Sequence, residues 1–295
     1  MINLELEQIK KIEKFNEDFF KSRESLVLFN YNPLYIEINA EKIVEYKDHL
    51  LFYDKKGALL IAPIGEKPLE IYRELLLKTD DITYKAVPQE LMEVLNHEFK
   101  AEYKTSTFYK EYLCYTAKLK ALDQNERFKR LFAIYDSAFF IKENPSIEDI
   151  NEVIELWYSQ QKEEDTKFML YGKKHSLQYF EMAKYFNAKV LCVYKACKTG
   201  LKPIGYIIGN KLNSDTWSCI SCRYDMKTLD LCTYLWHKLA LLFNEPFEND
   251  GGAYNKGIAD YKNKFAMKII SCYQIKSKLV AKKEENEKIN QQELK

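Results

Sequence analysis

At 295 residues, 46% of them hydrophobic and 14% aromatic, the chain carries enough apolar side chain for about two ordinary domains, which excludes a disordered tail protein. Lys and Arg number 45 against 44 Asp and Glu, a net charge of +1, so no global field gathers polyanions and any surface for nucleic acid or anionic lipid has to be local. The 7 cysteines are scattered and odd in number, the N-terminus reads as a charged helix rather than a secretory leader, and no run of about 18 apolar residues occurs; reduced thiols, a cytoplasmic protein and no transmembrane segment are expected.

Leu4, Ile9, Ile12, Phe15, Phe19 and Phe20 recur at helical spacing and open the chain with an amphipathic helix. Tyr35–Ile38, Ile43–Tyr46, Leu50–Tyr53 and Ala58–Pro63 read as short strands, the last two joined by the turn Asp54-Lys-Lys-Gly57. Lys67–Thr79 predicts a helix, Thr83–Val87 a strand, Gln89–Asn96 a helix opened by Pro88, and Tyr103–Tyr115 a strand. The polar run Leu122–Arg130 marks a boundary.

Beyond it the plan recurs. Phe139–Lys142 is a strand, Ser146-Ile-Glu-Asp149 caps a helix to about Gln160, and Ser176–Phe186 is a further helix. Ala188–Ala196, Pro203–Asn210 and Asp215–Arg223 are strands. Thr228–Phe243 is a helix with Leu231, Cys232, Leu235, Trp236, Leu239 and Leu242 on its apolar side. Cys219 and Cys222, three apart on one strand, are expected on opposite faces as structural thiols. His237 is expected on the surface or in a groove of its helix. The four histidines show no metal-ligand spacing, and no nucleophile elbow, P-loop or dinucleotide fingerprint is present. Two halves with one element order are therefore expected, 1–121 and 122–276, followed by a charged tail, 277–295.

The segment Asp250–Met267 carries most of the functional signal. A Gly-rich turn, Asp250-Gly-Gly252, leads through Gly257-Ile258 to Tyr261-Lys262-x-x-Phe265 and then to the β-rich run Ile269–Ile275. This pattern resembles the signature of the Fem-like and lysyltransferase-like branches of the GNAT superfamily. Asp48–Asp54, Leu60–Gly65, Ala86–Glu90, Tyr109–Tyr112, Lys129-Arg130 and Gly205–Ile208 fall in the matching order. Over roughly residues 15–276 the chain is thus similar to the C-terminal domain family of phosphatidylglycerol lysyltransferases.

The resemblance implies an α+β (α/β) fold of two GNAT-like domains in tandem, each a mainly antiparallel mixed sheet flanked by helices. It implies an acyl- or aminoacyltransferase acting on an amine or hydroxyl of a small molecule, peptide or lipid headgroup. No permanently bound cofactor is expected; acyl-CoA or aminoacyl-tRNA is the candidate co-substrate, and tRNA a candidate partner. An aminoacyl-tRNA-dependent lysyltransferase-like enzyme and a non-catalytic GNAT-fold binding protein are the alternatives.

Acyl transfer to an amine needs an acceptor for the ammonium proton and an acid for the leaving group. Tyr261 is the candidate acid and Asp250 the candidate proton acceptor. Lys262 occupies the family's lysine position and is expected at the cleft rim, with Lys256 and Lys264 beside it; Lys118, Lys120, Arg127, Lys129 and Arg130 form a second basic patch near the boundary. The turn Arg223–Thr228, where GNAT enzymes carry a glycine-rich pyrophosphate loop, has no glycine. An anion there is expected to depend on Arg223 and Lys227 rather than on backbone amides.

Overall fold

A computed structural model describes residues 2–21, 27–78, 83–99, 103–161, 166–253 and 256–277. The tail expected at 277–295 lies outside them beyond Ser277. The chain divides into two compact units: one runs to Glu111 and takes back the chain from Ile269 onward, the other is Tyr112–Lys268.

In the first unit, α1 (Leu6–Lys21) and α2 (Pro33–Asn39) precede the antiparallel hairpin β1 (Lys42–Tyr46) and β2 (His49–Tyr53). Then follow α3 (Pro68–Lys78), β3 (Thr83–Val87), α4 (Gln89–Phe99) and β4 (Tyr103–Tyr115), which ends in the second unit. The helix α2 replaces the strand expected at Tyr35–Ile38. Asn32 accepts the Leu34 N–H through its side chain at 3.0 Å and Pro33 presets the first turn, so capping overrides the β-branched pattern. Ala58–Pro63 forms no strand, only single bridges such as Leu59 to Tyr53 and Tyr84. The core is aromatic: Phe15 stacks on Phe19 and on Tyr31, and the Tyr31 hydroxyl donates to Ala86 O and accepts from Ala62 N–H.

The second unit begins with the end of β4, α5 (Thr116–Lys120), α6 (Glu126–Ala138), β5 (Phe139–Glu143) and α7 (Ile147–Ser159). Ser146 and Asp149 cap α7 reciprocally, as their spacing implies. After α8 (Thr166–Ala183), β6 (Lys189–Cys197), β7 (Gly200–Lys211) and β8 (Thr216–Tyr224) continue an antiparallel meander from β5. Then α9 (Leu231–Ala240) leads to β9 (Phe247–Asn249), α10 (Lys256–Asn263) and β10 (Lys268–Ser277). Strand β9 lies parallel to β8 on one side and antiparallel to the end of β4 on the other. The fold is α+β with mixed, mainly antiparallel strand pairing flanked by helices. The expected division at 121/122 and at 276 differs from the compact units at both ends: the end of β4 and α5 fall in the second unit, and β10, which pairs antiparallel with β3, falls from Ile269 onward in the first.

The second core centres on α9. Leu231, Tyr234, Leu235, Trp236 and Leu239 are buried against Phe128 and Phe132 of α6 and Leu191, Val193, Ile204 and Ile207 of the strands. His237 is buried in it, not at the helix surface; its Nδ1 donates to Leu119 O at 3.0 Å and its ring lies against Phe132. Trp217 stacks flat on Phe243 at 4.5 Å and donates its indole N–H to Thr116. The helix approaches β7 so closely that a Cβ on Gly209 would stand 2.8 Å from a Leu239 methyl and 2.9 Å from the Ser218 carbonyl oxygen. Gly209→Ala is expected to destabilise the protein by about 1–3 kcal/mol through overpacking, measured by urea unfolding. An unchanged midpoint would mean that α9 is free to move off the strand.

Candidate active site

Strands β8 and β9 pair only at Thr216–Phe247, Trp217–Glu248 and Ser218–Asn249. Past that point β8 runs on to Tyr224, whereas Asp250 and Gly251 stay with β4: Asp250 N–H donates to Tyr112 O and Tyr112 N–H to Gly251 O. The two parallel strands therefore part after Ser218, and the side chains at the parting form the site. Gly251 takes φ +63°, the left-handed turn that lets the chain leave β9 here, and its N–H is held by Asn249 Oδ1 at 2.8 Å.

Asp250 and Lys262 meet at the opening. The Lys262 ammonium donates to the carbonyls of Asp250 and Gly252, the latter at 2.8 Å, and pairs with Asp250 Oδ2 at 3.2 Å. The expected rim position of Lys262 is not what the fold gives: its side chain is 12% exposed and turned inward to hold the Gly-rich turn. An ammonium suits this place because three oxygens converge, one of them on a carboxylate, and it alone brings three donors and a positive charge.

Tyr261, next on α10, stands beside α9. Its hydroxyl exchanges a hydrogen bond with Thr233 Oγ1 at 2.8 Å, and its ring, with that of Phe265, packs around Trp236. Burial raises the Tyr261 hydroxyl well above the ordinary tyrosine value, so it is a proton donor and not an anion. Asp250 is also raised, by burial first, with Lys262 opposing.

Three features of the site go beyond the sequence reading. Glu248, at the centre of β9, is fully buried and neither carboxylate oxygen completes a hydrogen bond. Burial and then the neighbouring Asp250 raise it well above the usual carboxylate range. The Trp236 indole N–H and the Cys219 backbone favour its charge, but the indole N–H too lacks a completed bond. The second feature is a group of thiols. A bulge at Ile220, where Gly209 pairs with Cys219 and Ile208 with Ser221, turns Cys219 and Cys222 to the same side, against the α9 core. That overturns the expectation of opposite faces, because period-two alternation fails across a bulge. Cys232, in the first turn of α9, lies 4.0 Å from Cys222, sulfur to sulfur. The signals for these were weak: a lone Glu in a three-residue strand, and a Cys on a stripe that reads as core.

The third feature is the turn from β8 to α9. Asp225 Oδ1 accepts from Gln160 Nε2 at 2.7 Å and Lys227 N–H at 3.1 Å, and Oδ2 accepts from Thr228 Oγ1 at 2.9 Å. Met226 N–H goes to Gln160 Oε1 and Thr228 N–H to Asp225 O. The turn's own carboxylate thus occupies the nest of donors that an external anion would need. Thr228 is drawn into that nest and Asp230 is left-handed, so α9 starts at Leu231 and not at Thr228.

Arg223 is turned away from the turn, its guanidinium 4.5 Å above the Trp157 ring and donating to Cys222 O at 2.7 Å. Lys227 is exposed beside Asp225. Lys256 and Lys264 are exposed at the two ends of α10. Lys129 and Arg130 are exposed on α6, directly after the buried Phe128. Of the residues singled out in the sequence, Asp250, Tyr261 and Lys262 are brought together; the other cations are not joined to them by any hydrogen bond or ion pair among the described residues.

The first unit holds a separate cavity of about 810 Å³ with Phe15, Phe19 and Ile71 in its wall and Lys11, Lys14 and Asp18 among its charged lining. His49 in its wall uses both ring nitrogens, Nδ1 donating to Lys47 O at 2.7 Å and Nε2 accepting from Lys67 N–H at 3.3 Å, so it is a structural histidine. Among the described residues no helix is long and apolar enough to cross a membrane.

No family model and no curated protein matches the sequence. Solved structures do match. A conserved protein of unknown function from Bacteroides thetaiotaomicron is similar over 94% of this chain and 100% of its own, with TM-score 0.72 and 13% identity. L-PGS from Bacillus licheniformis is similar over 91% of each chain, with TM-score 0.62 and 14% identity. The C-terminal domain of a putative lysylphosphatidylglycerol synthetase from Agrobacterium fabrum covers 91% of this chain and 92% of its own, with TM-score 0.56 and 13% identity. The chain has the fold these proteins share, the one implied by the resemblance to lysyltransferase-like GNAT proteins.

Two expectations follow from the buried charges. Lys262→Ala leaves Asp250 unpaired and two carbonyls without donors; it should cost about 3 kcal/mol in urea unfolding. The loss should be alike at about 0.1 M and about 1 M salt, because buried pairs are little screened; a loss that vanishes at high salt would make Lys262 a surface charge. For Glu248 the folded-state value is raised, so its contribution to stability is complete below about pH 4 and is lost as pH rises through the raised value. Glu248→Gln should therefore gain in melting temperature relative to wild type as pH increases. A difference that is constant with pH would show the carboxylate to be solvated.

Proposed function

We propose that the chain is an acyltransferase whose second unit passes an acyl or aminoacyl group to an amine or hydroxyl of a small molecule, peptide or lipid headgroup. One observation carries the reading: β8 and β9 are parallel and part after Ser218, with Asp250 at the parting, paired to Lys262, and Tyr261, the neighbour of Lys262 on α10, bonded to Thr233 of α9. The fold shared with a lysylphosphatidylglycerol synthetase domain supports it.

The chemistry follows from the two groups. An incoming ammonium must lose its proton before it attacks a carbonyl carbon. Asp250, raised by burial, takes that proton more readily than a solvated carboxylate would. Lys262 engages Oδ2 and fixes the orientation of the carboxylate. Tyr261, kept protonated and oriented by Thr233, protonates the departing oxygen or sulfur as the tetrahedral intermediate collapses.

The donor is the second question. Asp225 and Gln160 fill the turn at which a CoA pyrophosphate would bind, and Arg223 faces Trp157 instead. That favours, as a second reading, an aminoacyl ester donor such as aminoacyl-tRNA, which places no pyrophosphate at this turn.

The test is a transfer assay with acetyl-CoA and with aminoacyl-tRNA as donors and a panel of amines and hydroxyl acceptors, read by product mass. Transfer is expected with at least one donor. Tyr261→Phe should lower kcat about 10²–10⁴-fold with little change in KM. Failure of transfer with both donors, or an unchanged kcat for Tyr261→Phe, would overturn the assignment and leave a binding protein.

A further inference from the structure

We propose that Cys222 and Cys232 form a redox-active dithiol, closed to a disulfide by peroxide, that switches the site beside it. The consequence for transfer rests on the function proposed above; the chemistry of the pair does not.

The geometry singles out these two thiols. The Ile220 bulge turns Cys222 toward α9, and the first turn of α9 brings Cys232 to 4.0 Å from it. Both are partly exposed, so a molecule as small as hydrogen peroxide has access. Cys114, Cys192 and Cys272 are buried, and the exposed Cys197 faces Thr199 and Gly200, not a second thiol.

Within the pair the roles differ. Cys232 sits at the N-terminal end of α9, where unpaired backbone amides favour a thiolate. Its thiol is lowered, first by the Cys222 S–H and also by the Tyr261 hydroxyl, against burial and Asp250. Cys222 is held well above its ordinary value by the same contact. Cys232 is accordingly the attacking sulfur and Cys222 the resolving one.

The steps balance. The Cys232 thiolate attacks one peroxide oxygen; an S–O bond forms, the O–O bond breaks, and the departing hydroxide takes a proton to become water. Cys222 sulfur then attacks the sulfenic sulfur; the S–S bond forms, the S–O bond breaks, and the second hydroxide leaves as water with the Cys222 proton. Two sulfurs supply the two electrons that reduce one peroxide to two waters. A low-molecular-weight thiol reverses the bond by exchange.

Closing the pair to a bond of about 2.05 Å draws the sulfurs together by about 2 Å. The bond would tie the start of α9 to the end of β8 across the turn that Asp225 organises. It would also draw Cys232 from the Tyr261 hydroxyl, leaving that group only its Thr233 partner.

The test uses the full chain with Cys197→Ser, which removes the exposed single thiol. After stoichiometric hydrogen peroxide, alkylation and digestion, mass spectrometry should find a linked Cys222–Cys232 peptide lighter by two hydrogens, lost again on treatment with dithiothreitol. In Cys222→Ser the reaction should stop at a sulfenic acid on Cys232, trapped by dimedone. Two independently alkylated thiols after oxidation, or dimedone at neither site in that variant, would overturn the pair. Oxidation should lower the transfer rate about 10²-fold, the usual cost of misplacing a reacting group by about 1 Å, with recovery on reduction. A disulfide that leaves transfer unchanged would overturn the switch; with no transfer from any donor, the linked peptide alone decides the pair.

Discussion

A single ammonium organises the second unit's site. The Gly-rich turn after β9 has to leave the strand so that β8 and β9 can part, and doing so frees two carbonyls from strand pairing. Lys262 reaches back from α10 and supplies donors to both, while its charge meets the Asp250 carboxylate. One side chain thereby fixes the turn, the helix that follows it and the carboxylate. A hydroxyl could satisfy one carbonyl and an amide two, but only an ammonium offers three donors and a compensating charge from one atom. The aromatic contacts of Tyr261 and Phe265 with Trp236 then hold α10 against α9 from the other side.

The electrostatic consequence is a surplus of acid. Glu248 and Asp250 face one Lys262, and burial makes two ionised carboxylates expensive beside one cation. The neutral form of Glu248 relieves that cost without removing its oxygens. The hydroxyls of Tyr261 and Thr233 and the thiols of Cys219, Cys222 and Cys232 complete a wall of groups able to donate or accept a proton. None of them needs full solvation in its neutral form, which explains how so polar a lining coexists with the apolar α9 core.

How much of this could be read from the sequence depended on the range of the interaction. Local signals succeeded where local physics decides: the Ser146–Asp149 cap, the apolar stripe of α9, the strand meander from Phe139 to Arg223, and the turn–helix–strand order after Asp250. They failed where a neighbour in space decides. Asn32 and Pro33 capped a helix where β-branched residues suggested a strand. The bulge at Ile220 brought Cys219 and Cys222 to one side, and no count along β8 reveals a bulge set by pairing with β7. The sequence pattern singles out Lys262, but its inward direction follows from two carbonyls some ten residues away in sequence. Glu248 was passed over because a lone acid in a short strand looks like a solvated edge until both flanking strands are known.

The turn between β8 and α9 is closed by its own side chains, although the framework around it is shared. At 13% identity the backbone course is kept over most of the chain, as in the Bacteroides thetaiotaomicron protein. A framework of this kind is preserved by burial and strand register, which tolerate many apolar exchanges. An anion nest is not so tolerant, because it depends on free amides and on room for the anion. Here Asp225 supplies the anion from within, and Gln160 of the chain segment after α7 holds it in place through both ends of its amide. Its carboxyl is lowered by that Gln160 donor, the Lys227 N–H and Thr228, against the cost of burial, so the nest is filled by a stable charge at neutral pH. Any external anion would have to displace a partner that is already covalently at hand, and the effective concentration of such a partner exceeds that of a free metabolite. The donors of this turn are therefore committed to one side chain, while the fold around it is shared.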